Sequence, residues 1–230
     1  MTRHDERPSA VTYQQIKDNP DIRTYIEMAD KTLSALGFTE HSFAHVTLCA
    51  KKAGDLLEQL GYSSREVELA RIAGFMHDIG NTVNRVAHAQ SGAIMAFRIL
   101  DKLGMPPAEI ATVVAAIGNH DEGTAQPVNP ESAALILADK SDVRRTRVRG
   151  QQKKRHYDIH DRVNYAVTSS EMKLSEDKKN LILKIQLDSS ISDVMDYFEI
   201  FLGRMSLCKQ AAKYLGLRFH LEINGVPFVQ

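Results

Sequence analysis

Ala70-Arg-Ile-Ala-Gly-Phe-Met-His-Asp-Ile-Gly80 closes an apolar stretch with two adjacent metal-ligand types, His77 and Asp78. Desolvating an imidazole and a carboxylate together is costly unless hydrogen bonds or a cation compensate, and a bound metal is the economical compensation. The dipeptide alone is a weak signal. It recurs at His4-Asp5, His120-Asp121 and His160-Asp161, where capping or surface roles are the ordinary explanation. What separates the copy at 77 is the segment that delivers it. Val67, Ala70, Ile72, Ala73, Phe75 and Met76 are apolar nearly all round, which predicts a central helix capped by Ser63 or Ser64. Gly80 then permits a sharp turn that lets both side chains point into one cavity.

Other ligand types fall where helices would carry them to the same place. His41 and His45, four residues apart, would stack on one face of a helix that starts at Thr39 and ends at Gly61. A preceding helix over 21–36 is capped by Asp21 and stopped by Gly37. His88 lies near the start of a helix over 84–103, and His120-Asp121 just beyond one over 107–117. Asp139 and Asp142 interrupt a strongly apolar helix over 131–143. Asp139 sits deeper in that run; Asp142 is the second choice, able to pair with Arg145 or Arg149, and Asp121 can equally cap the following turn. Separate helices that bring imidazole and carboxylate to one centre suit a hard or borderline divalent metal: iron, manganese, magnesium, nickel, cobalt or zinc.

With these residues the chain, over roughly residues 20 to 165, resembles the HD-domain superfamily of metal-dependent phosphohydrolases, whose pattern is a histidine, then His-Asp, then a distant aspartate. The resemblance implies His45, His77, Asp78 and Asp139 as core metal ligands, with Asp78 placed to bridge two ions. The spacing of His41 and His45 is similar to the paired histidines of cyclic-nucleotide phosphodiesterases, which implies a general-acid role for His41. His88 and His120 resemble the extra ligands of dinuclear members such as the HD-GYP phosphodiesterases. Those proteins carry His-His-Glu where this chain has His120-Asp121-Glu122, and no Gly-Tyr-Pro follows, so cyclic-dinucleotide specificity is not implied.

Composition bounds the rest. The 230 residues suffice for one sizeable core with a small appendage, and 43% hydrophobic with 25% charged is ordinary for a globular protein. Lys plus Arg and Asp plus Glu balance at 29 each, which argues against general nucleic-acid binding. The two cysteines, Cys49 and Cys208, form neither a disulfide framework nor a thiolate zinc site, and fit buried reduced thiols in a cytoplasmic protein. No apolar run is long enough to span a bilayer, and no membrane partner is expected.

The expected organisation is a flexible tail over 1–12, a helical metal-binding domain over 13–164 and a small β-β-α-β appendage over 165–230: a mainly α fold. The appendage is expected to cover the helical domain, to form a homodimer or to hold a partner. His160-Asp161 is expected to cap a short helix. The basic run Arg144, Arg145, Arg147, Arg149, Lys153, Lys154 and Arg155 is by default a solvated face, yet Arg144 and Arg147, with Arg85 and Lys140, are candidates for binding phosphate oxygens. The leading expectation is a phosphohydrolase holding two divalent ions and acting on a nucleotide or another small phosphorylated compound, with His41 and Asp78 in the chemistry. The alternatives are a di-iron HD-type oxygenase and a metal-containing regulatory or binding protein.

Overall fold

The computed structural model describes residues 10–149 and 159–229. Most of the expected tail, with His4-Asp5, lies outside them, as do Lys153, Lys154 and Arg155. Seven helices precede that second gap: α1 (Tyr13–Asp18), α2 (Pro20–Leu36), α3 (Phe43–Leu60), α4 (Ser64–Met76), α5 (His88–Lys102), α6 (Pro107–Gly118) and α7 (Pro130–Lys140). After it come α8 (Ile159–Ala166), β1 (Val167–Leu174), β2 (Asn180–Leu187), α9 (Val194–Tyr214), β3 (Arg218–Ile223) and β4 (Val226–Val229).

Local chemistry sets these boundaries. Asn19, not Asp21, caps α2, accepting from the backbone N–H of Asp21 and Ile22, with Pro20 at the first helical position where a missing N–H does no harm. Ser63 and Glu66 form a reciprocal capping box on α4, and Asn129 and Ser132 do the same on α7. The helix expected from Thr39 begins instead at Phe43, because the Ser42 hydroxyl accepts from Ala44 N–H and fixes the cap there. His41 therefore precedes the helix that carries His45.

α4 is the central helix. Ile72, Phe75 and Met76 are fully enclosed, and burial of each contributes about 1.5–3 kcal/mol. Around it α1, α2, α5 and α6 share one apolar cluster, in which Tyr13 meets Phe75 edge-on at 5.9 Å. On the other side α3 and α7 share a second cluster with the sheet and α9. Val11, near the start of the described chain, is buried, and its carbonyl accepts from Arg65 at 2.9 Å.

The sheet has the order β1-β2-β3-β4, with antiparallel outer pairs and a parallel central pair joined by the α9 crossover. Leu181, Leu183, Ile185 and Leu187 alternate inward on β2, as Phe219, Leu221 and Ile223 do on β3. The expected β-β-α-β order gains a fourth strand. Asn224 and Gly225 both take left-handed backbone, φ 52° and 80°, and turn the chain into β4.

One close approach positions the centre of the molecule. A Cβ on Gly80 would lie 2.0 Å from the His88 carbonyl oxygen and 2.4 Å from the Gly92 nitrogen. This glycine lets the turn after His77-Asp78 press against the start of α5. Gly80→Ala is expected to destabilise the protein by about 3 kcal/mol in urea unfolding, since only backbone can move aside; an unchanged midpoint would show that this packing is soft.

Candidate metal centre

Four elements converge beside the end of α4. His77 is its C-cap residue and Asp78 follows in a bridge-region conformation, φ −97° and ψ 0°, that leads into a single 3₁₀ turn. His88 opens α5, His120 lies two residues past α6, and Asp139 is in the last turn of α7. His45 comes from the first turn of α3. His45, His77, Asp78, His88 and His120 are all buried.

Hydrogen bonding fixes the tautomers. His77 Nδ1 lies 2.8 Å from the Gly74 carbonyl, His88 Nδ1 3.0 Å from that of Arg85, and His120 Nδ1 2.6 Å from that of Ile117. Each ring folds back over the preceding turn to a carbonyl three residues earlier. A carbonyl oxygen only accepts, so each Nδ1 carries the hydrogen and each neutral ring presents an Nε2 lone pair. His45 Nδ1 is held at 2.7 Å by the Asp142 carboxylate, and Asp142 is held in turn by Arg144 and by Arg147. A carboxylate behind a histidine is how proteins orient a metal-binding imidazole.

The four Nε2 atoms face Asp78 from two sides. His77 and His45 lie 3.3 Å and 3.6 Å from its Oδ2, and Asp139 Oδ1 is 3.3 Å from His45 and 3.9 Å from His77. His88 and His120 lie 3.6 Å and 4.0 Å from its Oδ1, with Asp121 Oδ1 3.9 Å from His88. Ligand atoms about 2.1 Å from a shared cation sit roughly 3.0–3.5 Å apart, close to most of these separations. Two observations show that the donor set fits a cation. His77 Nε2 and Asp78 Oδ2 are buried with no hydrogen-bond partner. His88 Nε2 and His120 Nε2 face each other at 3.2 Å with both Nδ1 hydrogens already committed, an opposition of lone pairs that positive charge relieves.

Electrostatics agree. Burial pushes His120 and His41 well below the usual imidazole value, helped by His77 and Lys140 for the first and by Arg147 for the second. Burial likewise lowers His88. His77 alone rises, because Asp78 and Asp139 outweigh its burial. Burial would raise Asp78 and Asp139, yet their carboxyls stay well below the usual range, held by His77 beside Asp78 and by Lys140 and His45 around Asp139.

The centre opens on a cleft of about 210 Å³, lined among others by His41, Arg85, Lys140 and Arg147. Arg85 donates to His88 Nε2 at 3.2 Å, and Lys140 Nζ lies 2.6 Å from Asp139 Oδ2. Arg144, expected at the rim, is not among the lining residues and instead braces Asp142 from behind. His41 does not stack along a helix with His45. Its backbone N–H donates to Asp30 and its Nδ1 to the Thr39 carbonyl, and its ring meets His45 edge-on at 5.4 Å. His160-Asp161 lies in the first turn of α8 and lines the cleft.

Some neighbours carried no sequence signal strong enough to single them out. Asn81, three residues after Asp78, donates to its Oδ1 at 2.9 Å. Cys49 Sγ, one turn after His45, lies 3.7 Å from both ring nitrogens of His45. Both lie within four residues of a ligand candidate; Phe201 and Arg204, which also line the cleft, come from sequence far from any motif.

A buried histidine and carboxylate centre, set between helices of a bundle and open to a basic cleft, is a donor set that could hold a metal ion. The HD domain family model matches residues 40–144, a segment that holds His45, His77, Asp78, His88, His120 and Asp139. HD domains bind divalent metals. An uncharacterized protein of Methanocaldococcus jannaschii is 22% identical over 92% of this chain and 86% of its own length. The solved structure of a predicted HD superfamily hydrolase from an uncultured Thermotogales bacterium is 20% identical over 56% of this chain and 72% of that one, with a TM-score of 0.41.

Two outcomes are expected. Asp142→Asn keeps a hydrogen-bond acceptor for His45 but removes its charge, and should weaken metal binding at least about tenfold in chelator competition; unchanged affinity would mean that Asp142 does not tune His45. Metal binding must displace the proton that Asp78 and Asp139 favour on His77, so affinity should start to fall, as pH is lowered, from above the ordinary imidazole value of 6.5. Isotherms across pH read this directly, and a decline confined to lower pH would contradict it.

Proposed function

We propose that this protein is a metal-dependent phosphohydrolase acting on a small phosphorylated compound such as a nucleotide, with two divalent ions held on either side of Asp78. The supporting observation is the convergence of imidazole lone pairs on both oxygens of one buried carboxylate, at the floor of a cleft whose walls carry arginine and lysine. His45, His77, Asp139 and Asp78 Oδ2 would form one ligand set, and His88, His120, Asp121 and Asp78 Oδ1 the other. When bound, divalent ions supply Lewis-acid polarisation of the attacking water and neutralise charge on the phosphoryl oxygens.

The residues around them have separable tasks. Arg85 and Arg147 offer guanidinium forks to phosphate oxygens, and Lys140 adds a point charge beside Asp139. His41 is kept neutral by burial and Arg147. A phosphate drawn into the cleft offsets that arginine and favours the protonated ring, which then donates to the leaving oxygen. Residues 13–164 would form the metal-binding domain and 165–230 its appendage. The two buried free thiols suit a cytoplasmic setting.

The test begins with elemental analysis of protein purified without added metal or chelator, followed by phosphate release from monoesters, diesters and nucleotides. Asp78→Asn is expected to lose metal and at least about a thousandfold of turnover, because both ligand sets share this carboxylate. A metal-loaded Asp78→Asn protein with near-normal turnover would sink the mechanism, and oxygen uptake without phosphate release would replace hydrolysis by oxidation.

A further inference from the structure

The C-terminal unit does more than cover the bundle. α9 packs on α7 and places Phe201 and Arg204, three residues apart on one helical face, against the metal cleft. Phe201 is buried, and the Arg204 guanidinium carbon lies 4.5 Å above its ring. Arg204 Nε donates to Glu122, whose carboxylate is also 3.8 Å from Lys140 Nζ, and Lys140 holds Asp139 at 2.6 Å. An unbroken chain of charges thus runs from Asp139 through Lys140 and Glu122 to an arginine of the C-terminal unit.

This arrangement has a directional consequence. Stacking on Phe201 fixes the guanidinium plane, and the bond to Glu122 uses its Nε edge. Its two Nη groups have no hydrogen-bond partner among the described residues, and the side chain keeps 23% exposure where it lines the cleft. Asp139, Lys140, Glu122 and Arg204 balance as two charges of each sign, and the part of this chain left without a protein partner is the Nη edge of Arg204. On another part of the lining Arg147 is fixed in the same manner, through Nε to the Glu40 carbonyl and Nη1 to that of Asp142. Guanidinium forks held in advance lose little freedom when they bind an anion.

We propose that Arg204 binds a phosphate group of the substrate through its free Nη edge, so that the C-terminal unit completes the substrate site. This assignment rests on the phosphohydrolase reading. Glu122, beside the ligand candidates His120 and Asp121, would be the positioning residue that aims it.

Calorimetric titration of inorganic phosphate into the full-length, metal-loaded protein tests the assignment without turnover. Arg204→Gln should retain metal content and weaken phosphate binding at least about tenfold, the usual loss for a hydrogen bond to a charged group. Arg204→Lys keeps the charge and the packed stem but not the fork, and should also bind phosphate several-fold more weakly; it carries the comparison if Arg204→Gln fails to fold. Wild-type phosphate affinity in either metal-loaded variant would overturn the role of Arg204 and leave the hydrolase reading standing. A metal-loaded wild type that binds no phosphate would overturn both.

Discussion

The Asp78 carboxylate, buried and faced by imidazole nitrogens on both oxygens, is the interaction around which the molecule is arranged. A desolvated anion is tolerable only where positive charge or several donors compensate it. Here the direct side-chain donor is Asn81, on Oδ1, while Asp78 Oδ2 has no hydrogen-bond partner. The polar interior is therefore incomplete as a set of protein contacts alone and fits one that closes around cations. The packing serves this end. The last five residues of α4 are all buried, so that His77 and Asp78 lie deep, and Gly80 brings α5 close enough for His88 to reach the same centre.

Orientation is achieved in one repeated way. Three histidines use the carbonyl three residues earlier to fix Nδ1–H and aim Nε2 inward: for His77 and His120 that carbonyl lies in the last turn of a helix, and for His88 in the turn that precedes one. His45, in the first turn of its helix, takes Asp142 instead. Arg144 and Arg147 then neutralise Asp142, so a basic run whose bland role is solvation becomes support for a ligand candidate.

Both signs of charge line the cleft, with Asp78, Asp139 and Asp161 beside Arg85, Lys140, Arg147 and Arg204 on its walls. Cations held by their own protein contacts are ready donors for an anion. That these walls draw on both the helical bundle and the C-terminal unit follows from the apolar cluster that α3 and α7 share with the sheet and α9.

The sequence by itself determined the helices, the strand alternation and the set of residues that meet. Caps, glycine stops and apolar periodicity act over a few residues, and buried His and Asp at helix ends stand out because their desolvation needs an explanation. Only the tertiary structure decided the rest. Ser42 rather than Thr39 starts α3 and takes His41 off the helix, a choice between neighbouring caps that local propensity leaves nearly balanced. Asp142 braces His45 across 97 residues of sequence, and Arg204 reaches Glu122 across 82. No periodicity encodes such contacts, because they depend on which helix faces pack together, and that is fixed by burial summed over the whole chain.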